Sequence, residues 1–231
     1  VSDPTVAGIT AISGSLTGIA AGTTNVTYTF STTGCTASAV VTVLAAPAAI
    51  TPASVALCNG NGITLGNITP GGVWSGSNPS VANINAIGDV SSVSPGIAAI
   101  TYTMPNGCYS VRSVSVNALP AVISGSATVC EAASVSLSNT DPLGTWSSDN
   151  TAIATVNSLS GAVTGVAAGN TYITYTLPTG CRRVAGMQVN AIPSATTGAS
   201  SICAGGTTVV TNTAGGGTWS SSAPGIAARS E

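Results

Sequence analysis

The sequence predicts an all-β protein, laid out as a row of small β-sandwiches of about 73 residues each. Three observations predict it. Gly-Cys recurs at Cys35, Cys108 and Cys181; a second cysteine recurs at Cys58, Cys130 and Cys203; and a tryptophan in a Gly-x-Trp-Ser setting recurs at Trp74, Trp146 and Trp219. Successive members of each series are 72 or 73 residues apart, and each tryptophan follows the second cysteine by 16. Self-similarity at a fixed period marks an array of structural units, and this period is too long for a helical hairpin or a propeller blade. It divides the 231 residues into a later part of one repeat at 1–44, repeats at 45–117 and 118–190, and an early part of another at 191–231.

The clearest copy runs from Ala121 to Asn190. A first strand is expected over 121–129, ending at Cys130. The stretch from Ser134 to Ser138 alternates apolar and polar residues, which puts Val135 and Leu137 on one face. Asp141-Pro142-Leu143-Gly144 reads as a turn into the Trp146 strand. Short strands are expected over 152–156 and 161–166. Thr171 to Leu177 then alternates with Ile173, Tyr175 and Leu177 together, and a last strand runs from Arg182 to Asn190. Tyr102 and Tyr28 occupy the place of Tyr175 in the other copies. No segment carries a helical apolar stripe, and about seven short strands per unit with turn signals every 8–12 residues describe a β-sandwich.

In Thr145-Trp146-Ser147-Ser148-Asp149-Asn150-Thr151-Ala152-Ile153-Ala154-Thr155-Val156, in Gly161 to Gly169 and in Tyr172 to Thr176, the chain resembles the group 2 bacterial Ig-like domain of invasin- and intimin-type surface proteins. The cysteines in Val129-Cys130-Glu131 and Gly180-Cys181 are similar to those of tandem Ig-like repeats in large secreted Bacteroidetes surface proteins. The resemblance implies an Ig-like fold, a cell-surface setting, and a role as spacer, adhesive arm or filament component. It brings no catalytic motif.

Composition excludes several classes of function. Charged residues make up 4% of the chain, against about 25% in an ordinary soluble domain. There is no Lys or His, and a net charge of -2 gives neither a basic face for nucleic acid nor a polybasic membrane patch. The apolar run from Ala39 to Ile50 is too short to span a bilayer. The chain shows no signal peptide and starts and stops within repeats, so it reads as a mature piece of something longer. Serines lack His or Lys as base partners, so no catalytic residue is expected. Asp3, Asp89, Glu131, Asp141, Asp149 and Glu231 are scattered, and of these only Asp141 and Asp149, with Asn150, come close to a weak calcium set. No metal and no cofactor is expected, and Gly215-Gly216-Gly217 reads as a turn.

Trp74, Trp146 and Trp219, and with them Tyr28, Tyr102 and Tyr175, are expected to pack in the cores. Cys35, Cys58, Cys108, Cys130, Cys181 and Cys203 are expected to form structural disulfides, which places the protein outside the cytoplasm. Without Lys, isopeptide staples are unavailable. Pairing within a unit, as Cys58 with Cys108 or Cys130 with Cys181, conflicts with the strand order. The two cysteines of a unit fall at opposite ends of a sandwich, roughly 25–30 Å apart at about 3.3 Å per residue. Bonds to adjacent units or to neighbouring chains ease the conflict, and the connectivity stays open.

Function therefore reads as a non-enzymatic extracellular stalk or filament component, with self-association or neighbouring repeats as partners. An adhesin module binding glycans or a host surface through exposed loops is the alternative, for which only Tyr109 and Tyr172 are aromatic additions to a repeat. The partial repeats at the two ends are complementary. Each is expected to be completed by the continuing polypeptide or by the next subunit of a polymer, the former being favoured because residues 1–12 duplicate the last 12.

Overall fold

A computed structural model describes residues 1–227, so Arg229 and Glu231 lie outside the described residues. Among the described residues every regular element is a strand, and no helix is long and apolar enough to cross a membrane. The chain divides into two compact units: Val1–Leu119 with Thr179–Cys181, and Pro120–Pro178 with Arg182–Glu231.

In the first unit β1 (Ala7–Ile9) pairs with β2 (Leu16–Gly18), and β3 (Gly22–Thr29) pairs with β4 (Thr36–Val43), each as an antiparallel hairpin. A complete sandwich follows. It comprises β5 (Val55–Cys58), β6 (Gly62–Thr64), β7 (Val73–Gly76), β8 (Ala82–Ile84), β9 (Asp89–Ser92), β10 (Gly96–Thr103) and β11 (Tyr109–Asn117). One sheet has the order β5-β11-β10-β7 and the other β6-β9-β8. The chain enters on the second sheet, where Thr51 bridges Gly66. It then crosses to the first, where β5 runs parallel to β11 from Val55↔Val114 to Cys58↔Asn117.

The core follows the two-residue period of the strands. Ala98, Ile100 and Tyr102 on β10 point inward, as do Val114 and Val116 on β11, against Leu65 and Val90 from the other sheet. Removing a side chain such as Ile100 from water is worth about 1.5–3 kcal/mol.

The second unit repeats this order with β12 (Thr128–Cys130), β13 (Ser134–Ser136), β14 (Thr145–Ser148), β15 (Ala154–Val156), β16 (Ala162–Gly165), β17 (Gly169–Thr176) and β18 (Arg182–Asn190). Its sheets are β12-β18-β17-β14 and β13-β16-β15. Ile173, Tyr175, Met187 and Val189 face Leu137 and Val163. The strand expected over 121–129 is two pieces: Ser124 bridges Ser138, and β12 then pairs parallel to β18. The strand expected over 152–156 starts at Ala154, because Asn150 Oδ1 accepts the Ala152 N–H and holds a turn ahead of it.

Beyond β18 the described residues have only β19 (Thr197–Gly198) and β20 (Val210–Thr211), and no residue from 191 to 227 is buried. Trp219 is 44% exposed, and Tyr28 on β3 is 71% exposed, contrary to the expectation that both pack in cores. The physical reason is the same for each. In the two sandwiches this tyrosine and this tryptophan come from paired strands, Tyr102 opposite Trp74 and Tyr175 opposite Trp146. Residues 1–44 contain the tyrosine strand without the tryptophan strand, and 191–227 contain the reverse.

Candidate functional site

One arrangement of side chains and backbone is built twice in full and once in part. In the first sandwich the Tyr102 ring lies 4.7 Å from that of Trp74, tilted at 55°. Its hydroxyl accepts the Gly72 N–H at 2.9 Å and donates to the Thr69 carbonyl at 2.8 Å. In the second, Tyr175 lies 4.7 Å from Trp146, accepts from Gly144 at 3.0 Å and donates to the Asp141 carbonyl at 2.5 Å. A buried tyrosine hydroxyl needs both partners, and a tilted aromatic pair adds about 0.5–1.5 kcal/mol beyond burial.

The loop that presents these partners is clamped by an asparagine seven residues before the tryptophan. Asn67 donates to the Ala48 carbonyl and accepts the Thr69 N–H, and Asn139 donates to the Ala121 carbonyl and accepts the Asp141 N–H. Glycine before the tryptophan strand is obligatory for space. A Cβ on Gly72 would sit 2.4 Å from the Tyr102 ring, and one on Gly144 would sit 2.3 Å from that of Tyr175. The asparagines escaped the sequence reading, which took the glycines as part of the Gly-x-Trp-Ser setting and its turn without the tyrosine ring that requires them. The signal of the asparagines was present, since Asn67, Asn139 and Asn212 share the spacing of the cysteines.

The third set lacks only its tyrosine. Asn212 donates to the Ser194 carbonyl and accepts the Ala214 N–H at 2.8 Å, so the clamp is closed. Ala214, Gly217 and Trp219 then line a cleft of about 470 Å³, with Asn212 beside them.

Cys58 and Cys181 are joined in a disulfide, their Cα atoms 5.5 Å apart and 123 residues distant in sequence, and Cys181 is fully buried. Cys35, Cys108, Cys130 and Cys203 are free thiols here, where disulfides were expected. Pairing within a sandwich is ruled out by the ladder. Cys58 lies beside Asn117 at the end of β11, while Cys108 precedes its start, and the nine residues between span about 30 Å. Cys130 and Cys181 are separated by β18 in the same way.

The acidic residues do not converge, and among the described residues no group of three or more His, Cys, Asp or Glu could hold a metal. Asp141 accepts the Ala121 N–H and is part of the loop structure. Asp89 accepts from Thr64 Oγ1 at 2.6 Å and from Asn85, which holds its carboxyl below the usual carboxylate range. A carboxyl with a lowered folded-state pKa contributes stability above its unfolded value and loses it as pH falls through the folded value. The Asp89→Asn variant is therefore expected to melt slightly below the parent at neutral pH and to converge with it in acid. A gap that persists in acid would assign the effect to something other than ionisation. Tyr109 and Tyr172 are 62% and 58% exposed on their strands.

Comparison with known proteins follows this geometry. The solved structure of a C-terminal fragment of intimin, in complex with the intimin-binding domain of the translocated intimin receptor, is 17% identical. The match covers 64% of this chain and 67% of that one, with a TM-score of 0.44. Invasin, a bacterial integrin-binding protein, is 18% identical over 76% of this chain and 46% of its own, with a TM-score of 0.41. Domains 4 and 5 of the S-layer protein SbsC are 21% identical over 64% of this chain and all of theirs, at a TM-score of 0.31. No curated protein matches the sequence. The family profile of the bacterial Ig-like domain (group 2) matches residues 110–186, from within β11 of the first sandwich to within β18 of the second, and the second sandwich, most of which it covers, is Ig-like.

Proposed function

We propose that the chain is a non-enzymatic structural component, part of a stalk or filament of Ig-like repeats about 73 residues long on a bacterial cell surface. The units are taken as 45–117 and 118–190, flanked by the partial repeats 1–44 and 191–231. The observation that carries this reading is the Tyr–Trp lock, made twice from equivalent residues, with each tyrosine hydroxyl both accepting and donating a hydrogen bond that holds the fold. The disulfide suits an oxidising, extracytoplasmic setting. With so few charges, an isolated monomer would have little protection against association, which favours neighbouring repeats or copies as partners.

An adhesive role is the second reading, favoured by the exposed Tyr109 and Tyr172, whose rings could stack on sugars. Immunogold electron microscopy of intact cells tests the first reading, with label on fibres or arms outside the envelope as the expected result. Label confined to the cytoplasm would overturn it. Glycan-array binding that disappears in the Tyr109→Ala/Tyr172→Ala variant would move the assignment to the adhesin.

A further inference from the structure

Cys58 is the last residue of β5, and Cys181 immediately precedes β18. We propose that their bond makes the chain an inextensible connector: a pull along the array runs through β5, across the bond and out through β18, and residues 59–180 bear none of it. This deepens the reading of the chain as a stalk or filament component and rests on it.

Three observations carry the assignment. The first is the direction of the path. The bond joins the carboxyl end of one strand to the amino end of another, so Val55 to Cys58 and Cys181 to Asn190 follow each other as one covalent line. Everything between two cysteines 123 positions apart branches off that line as a closed loop.

The second is the state of the two strands on the path. A strand already rises about 3.3 Å per residue, against a limit of about 3.3–3.6 Å for a fully stretched chain. β5 and β18 therefore have almost nothing to give. β5 is held by β11, and β18 is held on both sides by β12 and β17. A pull that enters and leaves by the ends of one strand asks none of these neighbours to move.

The third is the content of the loop. It holds β6 to β11 and β12 to β17, and with them both Tyr–Trp pairs and most of both cores. These are the parts whose unfolding would lengthen a stretched chain. While the bond is closed, unfolding them adds no length between the two ends. Once it opens, the pull crosses each sandwich from its first strand to its last.

A dithiol opens the bond by exchange. One reagent thiolate attacks the sulfur of Cys58, which is half-buried where Cys181 is fully buried, and Cys181 leaves as the thiolate. The second reagent thiolate then attacks the reagent sulfur of the mixed disulfide and releases Cys58. Both cysteines are reduced, and the dithiol is oxidised to a cyclic disulfide.

The test stretches single molecules of the 231-residue chain, tagged at both termini, in optical tweezers before and after dithiothreitol. At about 3.3–3.6 Å per residue, the oxidised chain is expected to reach its limit near roughly 380 Å, supplied by residues 1–58 and 181–231. The reduced chain is expected to reach roughly 800 Å, about twice as far, on the same rise per residue. Cys58→Ala/Cys181→Ala is expected to match the reduced chain without reductant. The limiting length does not depend on folding, so this variant is informative even if it unfolds. Cys130→Ala, at an exposed free thiol, is expected to keep the short limit. Three results would each overturn the proposal: an oxidised chain that reaches the long limit, a double variant that stops at the short one, or a Cys130→Ala chain that stretches like the reduced parent. Immunogold labelling reads location separately. A surface protein that stretches to full length when oxidised keeps the proposed function and loses this connector, and a cytoplasmic protein with the short limit does the reverse.

Discussion

Trp146→Ala is expected to destabilise the second sandwich by about 3–5 kcal/mol, the usual cost of emptying a buried aromatic site. Trp146 is 6% exposed, stacks on Tyr175 and packs in the core with Val163 and Ile173. Its removal opens a cavity and withdraws one wall of the tyrosine lock. Trp219→Ala provides the internal contrast, because the same residue at the same place in the repeat has no tyrosine ring against it and lies exposed, outside any buried core. Its cost in the isolated chain is expected within about 0.5 kcal/mol, the range of ordinary surface changes. Urea unfolding followed by far-UV circular dichroism measures both. Equal costs would show that repeat position, and not the presence of the paired strand, decides what the tryptophan does.

Replacing the disulfide by Cys58→Ala/Cys181→Ala is the second large effect. Removing a native bridge from small domains costs about 2–5 kcal/mol, and the chain-entropy estimate for a loop as long as this one falls near the top of that range. The alanines leave no unpaired polar atom at the buried Cys181 position, so the measured loss reports on the cross-link. Thermal melts of the variant and of the reduced parent are expected to coincide. Cys35→Ala and Cys203→Ala, at exposed free thiols, are expected to leave the melting temperature of the monomer unchanged. A double variant as stable as the oxidised parent would show that the bond constrains nothing the strands do not already hold.

The fold was legible because strand burial here follows the simplest rule available to a sequence. Ile173 and Tyr175 are two residues apart and both face inward, and Val114 and Val116 do the same. The position of Cys58 and Cys108 at opposite ends of one strand also followed from strand order and the rise per residue. What stayed hidden depends on partners that no local pattern specifies. The exposure of Tyr28 and Trp219 is set by which other strands are present, and both residues look identical to their buried counterparts in sequence. The split first strand was missed because a crossing between sheets leaves the alternation of Val122 to Val129 largely undisturbed. The asparagine clamps were overlooked because a single Asn in a turn is ordinary, and only the spacing of Asn67, Asn139 and Asn212 marks it.

The parallel pairing of β5 with β11 has a mechanical consequence. In that sandwich the strand nearest the amino end and the strand nearest the carboxyl end lie side by side, running in the same direction. Tension applied through the two ends pulls β5 backward and β11 forward, along their common axis. The load is then shared by the ladder from Val55↔Val114 to Cys58↔Asn117 all at once, in shear. An antiparallel hairpin pulled from its two ends would open one rung at a time under far less force. A module built this way yields late and abruptly when stretched, as a tether exposed to flow would require.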